Sequence, residues 1–230
     1  MTETEDIQQE IANREMPVTI CKPKKRLMLF GNEFVYIYVL AIAASFIGWV
    51  VENIARLVGA GILDCRFHIL PFISPYGLAV FAMYIAIGDT DSMAFFNKKI
   101  FKKDTKKTKI LSNLLSFAII CAFVFFGELV FGNLMEACFG VKLWNYSAHP
   151  LHVTQYASLF TTLGFGAGAW FIMKFCFYPA LRFLQRKMNY KAAVILVLTL
   201  GIAIVADTCG MVLQVIITGN APMYWSIKVW

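Results

Sequence analysis

Five apolar runs separated by short polar segments set the pattern of this chain, over residues 34–58, 69–88, 110–136, 157–179 and 192–218. Each has about the 20 residues that a helix needs to cross a bilayer core roughly 30 Å thick. A polar tail, residues 1–33, precedes them and a short segment, 219–230, follows. The pattern predicts an all-α, polytopic transmembrane helix bundle. The second run is irregular: Pro71 and Pro75 lack an amide hydrogen and Gly77 permits close approach, so a helix there is broken or begins only near Pro75. Two readings stay open for 69–77, a re-entrant or discontinuous element, or a plain loop leading into a proline-started helix. Gly164 and Gly168 in the fourth run have the spacing at which helix backbones approach closely.

Composition sharpens this picture. The chain is 59% hydrophobic and only 15% charged, with a mean hydropathy of +0.66, both displaced from soluble proteins toward the membrane class. A net charge of +7 invites a nucleic-acid reading, but placement argues against it. Sixteen of the 21 basic residues fall in the leader, in the 89–109 loop with its seven lysines, and in the 182–191 turn. That is where the positive-inside rule puts the cytoplasmic side, giving an inside N-terminus, an outside C-terminus and membrane lipids as the first partner. The leader runs from acidic (Glu3, Glu5, Asp6, Glu10, Glu15) to basic (Lys22, Lys24, Lys25, Arg26), with room for one short helix over Asp6 to Met16. No cleavable signal peptide is expected, since the first apolar run follows this polar leader. Six cysteines without a CxxC pair read as small membrane hydrophobes; Cys65 and Cys138 both lie near the outer face, where a disulfide between them is conceivable.

Candidate chemistry centres on residues 127–147, which set two carboxylates into an apolar run. At helical spacing Glu128, Gly132 and Glu136 form one stripe. Such groups cost about 2.5–3.5 kcal/mol each on insertion scales, so the stripe faces protein or water and not lipid. The alternative leaves Glu136 at the membrane surface and Glu128 as a neutral packing residue. Glu52 and Arg56 are spaced i, i+4, as a site pair or a structural pin. Asp207, deep in the fifth run, needs a partner, for which Arg56, Arg66 or a proton shared with a glutamate are the candidates. His68, His149 and His152, with Cys65, lie toward the same predicted face, a weak candidate metal set whose spacing matches no strong pattern. No cofactor is called for.

The order of certain motifs resembles a known family, the bacterial membrane proteins called putative ABC transporter permeases of the CmpB type. The motifs are Gly48-Trp49-x-x-Glu52, Arg66 leading to Pro75-Tyr76-Gly77, Glu128 eight residues before Glu136, and Phe139-Gly140 followed by Trp144-Asn145-Tyr146-Ser147. The likeness covers most of residues 34–215. This chain departs from the family where Phe67 stands after the arginine in place of glycine, and where Asn145 replaces an acid. The resemblance implies a transport-type membrane protein and carries over Glu52, Arg66, Glu128, Glu136 and Trp144, without any property that needs an acid at 145; Trp49, Tyr76 and Asn145, which stand in its motifs, complete the candidate binding path.

Three functions fit. The first is a transporter or permease component moving a small solute or ion past Glu52, Arg56, Arg66, Glu128, Glu136 and Asp207. The sequence has no GxxxxGK[ST], so ATP coupling would need a separate ATPase subunit. The second is a non-transporting accessory or interaction protein whose buried charges fix helix register. A membrane enzyme using Glu128 or Glu136 beside His149 or His152 ranks last, since no nucleophile with an adjacent base is visible. Five spans make a thin bundle, and a second copy of the chain is a candidate partner.

Overall fold

The computed structural model describes residues 26–96, 98–101, 105–140 and 142–230. The leader up to residue 25, including the short helix expected over Asp6 to Met16, lies outside the described residues, as do Lys102 and Lys103. Among the described residues there are five helices: α1 Phe34–Ala60, α2 Ser74–Ile87, α3 Lys106–Phe139, α4 Leu159–Lys187 and α5 Tyr190–Thr218. Four of these, all but α2, are long and apolar enough to cross a membrane.

The second run departs most from a simple span. Its helix has 14 residues, about 21 Å at 1.5 Å per residue, short of a core about 30 Å thick. The cause is local. Pro75 sits in the first turn of α2, and the preceding segment is held out of helix by Arg66 and Phe67, both with left-handed backbones (φ 52° and 70°). The 65–73 segment is therefore irregular backbone leading into a proline-started helix.

Helix ends follow their capping residues. Thr105 and Thr108 form a reciprocal capping box at the start of α3, and Asn189 caps α5. The helices α1 and α3 both stop at a glycine in the left-handed region, Gly61 and Gly140. The helix α4 runs past the predicted limit of 179 to Lys187, through a π-helical segment Ile172–Phe177.

Two hairpins, α1 with α2 and α3 with α4, make the body, and α5 packs along α1. Their common end is built around Val35, Tyr36, Ile37, Val80, Met83, Tyr84, Ile87, Ile120, Met173, Phe177 and Leu181. Tyr36 reaches across to the Met188 carbonyl at 2.9 Å, and the Arg26 guanidinium lies over the Tyr190 ring. The basic segments thus gather where α1, α3 and α5 begin. Two-residue strands flank this end, β1 (Met28–Leu29) with β2 (Asn32–Glu33) and β4 (Ala94–Phe95) with β5 (Lys98–Lys99).

At the opposite end the C-terminal segment is packed and not a loose tail. Strand β6 (Ser226–Lys228) pairs antiparallel with β3 (Ile62–Asp64), and the Trp230 ring fills the space beside Gly61. Cys65 is a free thiol buried under this strap, 3.8 Å from the Met223 sulfur, and Cys138 is free and exposed, so the conceived disulfide is not formed. The glycine spacing in α4 also plays a different part from the one expected. Gly164 and Gly168 face open space, and Gly166 between them is the one pressed against Cys121 of α3.

Candidate functional site

All three positions of the α3 stripe meet the loop 142–157. Glu128 accepts a hydrogen bond from the Tyr146 hydroxyl at 3.1 Å. One turn on, the Tyr156 ring lies where a Gly132 Cβ would stand. A further turn on, Glu136 accepts from the Tyr156 hydroxyl at 2.6 Å and from the Gln155 amide at 2.8 Å, and pairs with Lys142 at 3.2 Å. Within the loop the Trp144 indole donates to the Tyr156 carbonyl at 3.1 Å, and its ring stacks on Phe131 of α3. Asn145 makes a local turn, accepting from the Ser147 amide at 2.8 Å, and is exposed.

On α1, Glu52 is the matching acid. It takes the Tyr76 hydroxyl at 2.7 Å on one oxygen and Arg66 at 2.8 Å on the other. The expected i, i+4 pair with Arg56 is not made: Arg56 turns to Asp64, 2.8 Å away. Asp64, 1% exposed, is the residue that sequence reasoning missed here. It accepts from the Arg66 amide at 2.9 Å, while its own amide donates to Asn53 at 2.9 Å. Two arginines and two acids from α1, β3 and the segment that follows it thus form one network, which compensates charges that would be costly alone. Trp49 lies beside it, packed edge-on to Trp225 and stacked on Phe46.

Among the described residues Asp207 pairs with neither arginine nor any glutamate. Its two oxygens accept the Ile69 and Leu70 amides, each at 3.0 Å, and His68 Nδ1 lies 3.5 Å away. Ser74 and Thr208 meet beside it at 2.6 Å. The aspartate of α5 is therefore the anchor of the irregular 65–73 segment, supplying acceptors that its non-helical amides lack. His68 is 4% exposed; burial lowers its pKa despite the opposing pull of Asp207.

Electrostatics join the two halves. The Tyr146 phenol is raised well above its ordinary range, first by burial and then by the Glu128 and Glu52 carboxylates, so the two acids share one neighbourhood. Glu52, Tyr76, Tyr146 and Glu128 line it. Among them Glu128 alone has an oxygen, Oε2, that is enclosed and without a hydrogen-bond partner.

The weak metal set is dispersed. Cys65 faces Met223, His68 faces Asp207, and His149 and His152 lie in the exposed loop, His149 edge-on to Tyr146 and His152 Nδ1 3.2 Å from the His149 carbonyl. Among the described residues no three His, Cys, Asp or Glu gather as a metal site.

A second polar cluster at the basic end was not foreseen. Lys174, carried on the π-helical segment, donates to Asn113 at 2.7 Å, lies 3.6 Å from Asp91 and sits over the Trp170 ring. The sequence signal was only a lone lysine inside an apolar run.

Residues 39–212 match a family model described as putative ABC-transporter type IV, a span that takes in every residue of the carboxylate network. No curated protein and no solved structure matches the chain.

Proposed function

This chain belongs to the putative ABC-transporter type IV family, and from that premise we propose that it is a membrane component moving a small solute or ion past Glu52, Tyr76, Tyr146 and Glu128. One observation supports the reading above others: the enclosed Glu128 Oε2 has no partner, whereas the oxygens of Glu52, Glu136 and Asp207 are engaged within the protein. An acidic, tyrosine-lined neighbourhood suits a cation, a proton or an amine-bearing solute. With no P-loop in the sequence, ATP coupling would come from a separate subunit. The basic end faces the cytoplasm in this reading, which puts the carboxylate network in the outer half.

A second reading has its own support. The engagement of both oxygens of Glu52, Glu136 and Asp207 is what an accessory membrane protein would need if its charges only fixed register. Thermal melting of the detergent-purified protein against cations, amines, amino acids and lipids separates the two, run on wild type and Glu128→Gln. A ligand that stabilises wild type and not the variant supports the pathway. Equal response in both places binding elsewhere, and no response to any ligand favours the accessory role.

A further inference from the structure

The carboxylate network contains one construction twice. In the first copy Gly48 and Glu52 lie one turn apart near the end of α1. The Tyr76 ring covers Gly48, its hydroxyl reaches Glu52 at 2.7 Å, and Arg66 holds the second oxygen at 2.8 Å. In the second, Gly132 and Glu136 lie one turn apart near the end of α3. The Tyr156 ring covers Gly132, its hydroxyl reaches Glu136 at 2.6 Å, and Lys142 holds the other oxygen at 3.2 Å. The order of parts is the same in both. A helix with Gly-x-x-x-Glu ends at a left-handed glycine, Gly61 or Gly140. A cation follows, then a tyrosine 24 or 20 residues after its glutamate, at the entry to the next helix.

Laying one Gly-x-x-x-Glu pair on the other brings Glu128 onto Ala44, four residues before Gly48. The acid that has no counterpart is also the one with a free oxygen. A carboxylate whose two oxygens are taken by a hydroxyl and a cation is a tie between helix and loop, and a tie repeated in both hairpins fastens both. Glu128 is built differently. Tyr146 of the 142–157 loop is its one hydrogen-bond donor, and the charge facing it from α1 is that of Glu52, of the same sign. Arg66 is committed to Glu52 and Asp64, and Lys142 to Glu136. Among the described residues no cation pairs with Glu128.

We infer that the two glycine–glutamate–tyrosine clamps are an internal repeat that fastens the two hairpins, and that Glu128, added to the second copy, is the carboxyl group of the site that takes up and releases a proton. The inference deepens the transport reading by naming the exchangeable group. Of the three glutamates Glu128 is the one whose charge no cation among the described residues balances, and one phenol is the donor that supports its ionised form. Glu52 and Glu136 are positioning residues.

Dicyclohexylcarbodiimide, which adds to protonated carboxyl groups in apolar surroundings, tests this on the full chain in lipid nanodiscs, with the modified residue located by peptide mass spectrometry. The expected result is a label on Glu128 and not on Glu52 or Glu136, falling as the pH is raised and lost in Glu128→Gln. Glu52→Gln and Glu136→Gln should each lower the melting temperature, with Glu128→Gln melting close to wild type. Labelling spread over all three glutamates, or none on Glu128 at any pH, overturns the inference; so does Glu128→Gln melting as low as the clamp variants. Labelling reads protonation and not solute movement, so a labelled Glu128 in a protein that no solute stabilises would sink the transport reading alone.

Discussion

Asp207 and Leu70, 137 positions apart, are joined by a 3.0 Å hydrogen bond from the Leu70 amide to Asp207 Oδ2, and the other oxygen holds the Ile69 amide at the same distance. The carboxylate's side chain is 6% exposed. Asparagine would keep one acceptor and turn an NH2 group toward the second amide. Charge-assisted hydrogen bonds contribute about 1.5–3 kcal/mol each, and an unsatisfied buried donor adds to the loss. Asp207→Asn should therefore lower the melting temperature by several degrees, and Asp207→Ala by at least as much. A melting curve of either variant that overlays wild type would mean that 65–73 is held by something else.

The two tyrosine clamps give a sharper test because the glycines have no slack. A Cβ on Gly48 or Gly132 lands in the ring of Tyr76 or Tyr156, and overpacking of this kind costs about 1–3 kcal/mol. Gly48→Ala and Gly132→Ala should both destabilise. Gly127→Ala, on the same helix as Gly132 with nothing within 4 Å of the new methyl, should not. Tyr76→Phe and Tyr156→Phe keep the ring and lose one hydrogen bond to a carboxylate, a loss of about 1.5–3 kcal/mol that overlaps the overpacking range, so all four clamp variants should melt below Gly127→Ala. Thermal melting of the five variants side by side checks the order.

Phe67 occupies a backbone position at φ 70°, where an L side chain costs roughly 1–2 kcal/mol. Its ring is near the Arg66 guanidinium, 5.5 Å to the centroid, an interaction of about 0.5–1 kcal/mol at a partly exposed site. The two terms nearly offset, with the backbone the larger. Phe67→Gly should melt at or slightly above wild type, and Phe67→Val, β-branched and least tolerant of positive φ, clearly below it. Equal melting of the valine and phenylalanine forms would show that this backbone is not strained.

How much of this could be read in advance depended on whether a feature is set by neighbours in sequence. Helical periodicity sufficed to put Glu128, Gly132 and Glu136 on one face, and Pro71 with Pro75 sufficed to break the second run. Periodicity says what a face needs, not what arrives there. Hence helical spacing does not tie the loop bearing Tyr146, Gln155 and Tyr156 to the stripe, though that loop supplies the donors for both acids. The Glu52–Arg56 spacing stated reach and not choice; a third acid, Asp64, drew Arg56 away and left Glu52 to Arg66. Asp207 was sought among charged side chains, but its donors are main-chain amides, which leave no mark in a sequence. The pairing of β6 with β3 joins the segment after α1 to the C-terminal segment, and three-residue strands carry too little pattern to announce it.

His68 adds a pH dependence whose sign follows from its burial. It faces Asp207 from α5 and Arg66 from its own segment; burial outweighs the aspartate and lowers its pKa below the ordinary 6.5. Above about pH 6.5 the imidazole is neutral in both folded and unfolded chains, and its contribution to stability is full. As the pH falls through that value, the unfolded chain takes a proton that the folded chain resists. Stability is then lost by up to about 1.4 kcal/mol per pH unit until the folded pKa is reached. Other groups that change charge as the pH falls are common to both proteins, so the quantity to follow is the difference in melting temperature between wild type and His68→Gln. That difference should shift against wild type as the pH drops from 7.5 to 5.5, since the glutamine form cannot be charged. A shift in favour of wild type would mean that the imidazolium forms an ion pair with Asp207 and that electrostatic attraction, not burial, governs this contact.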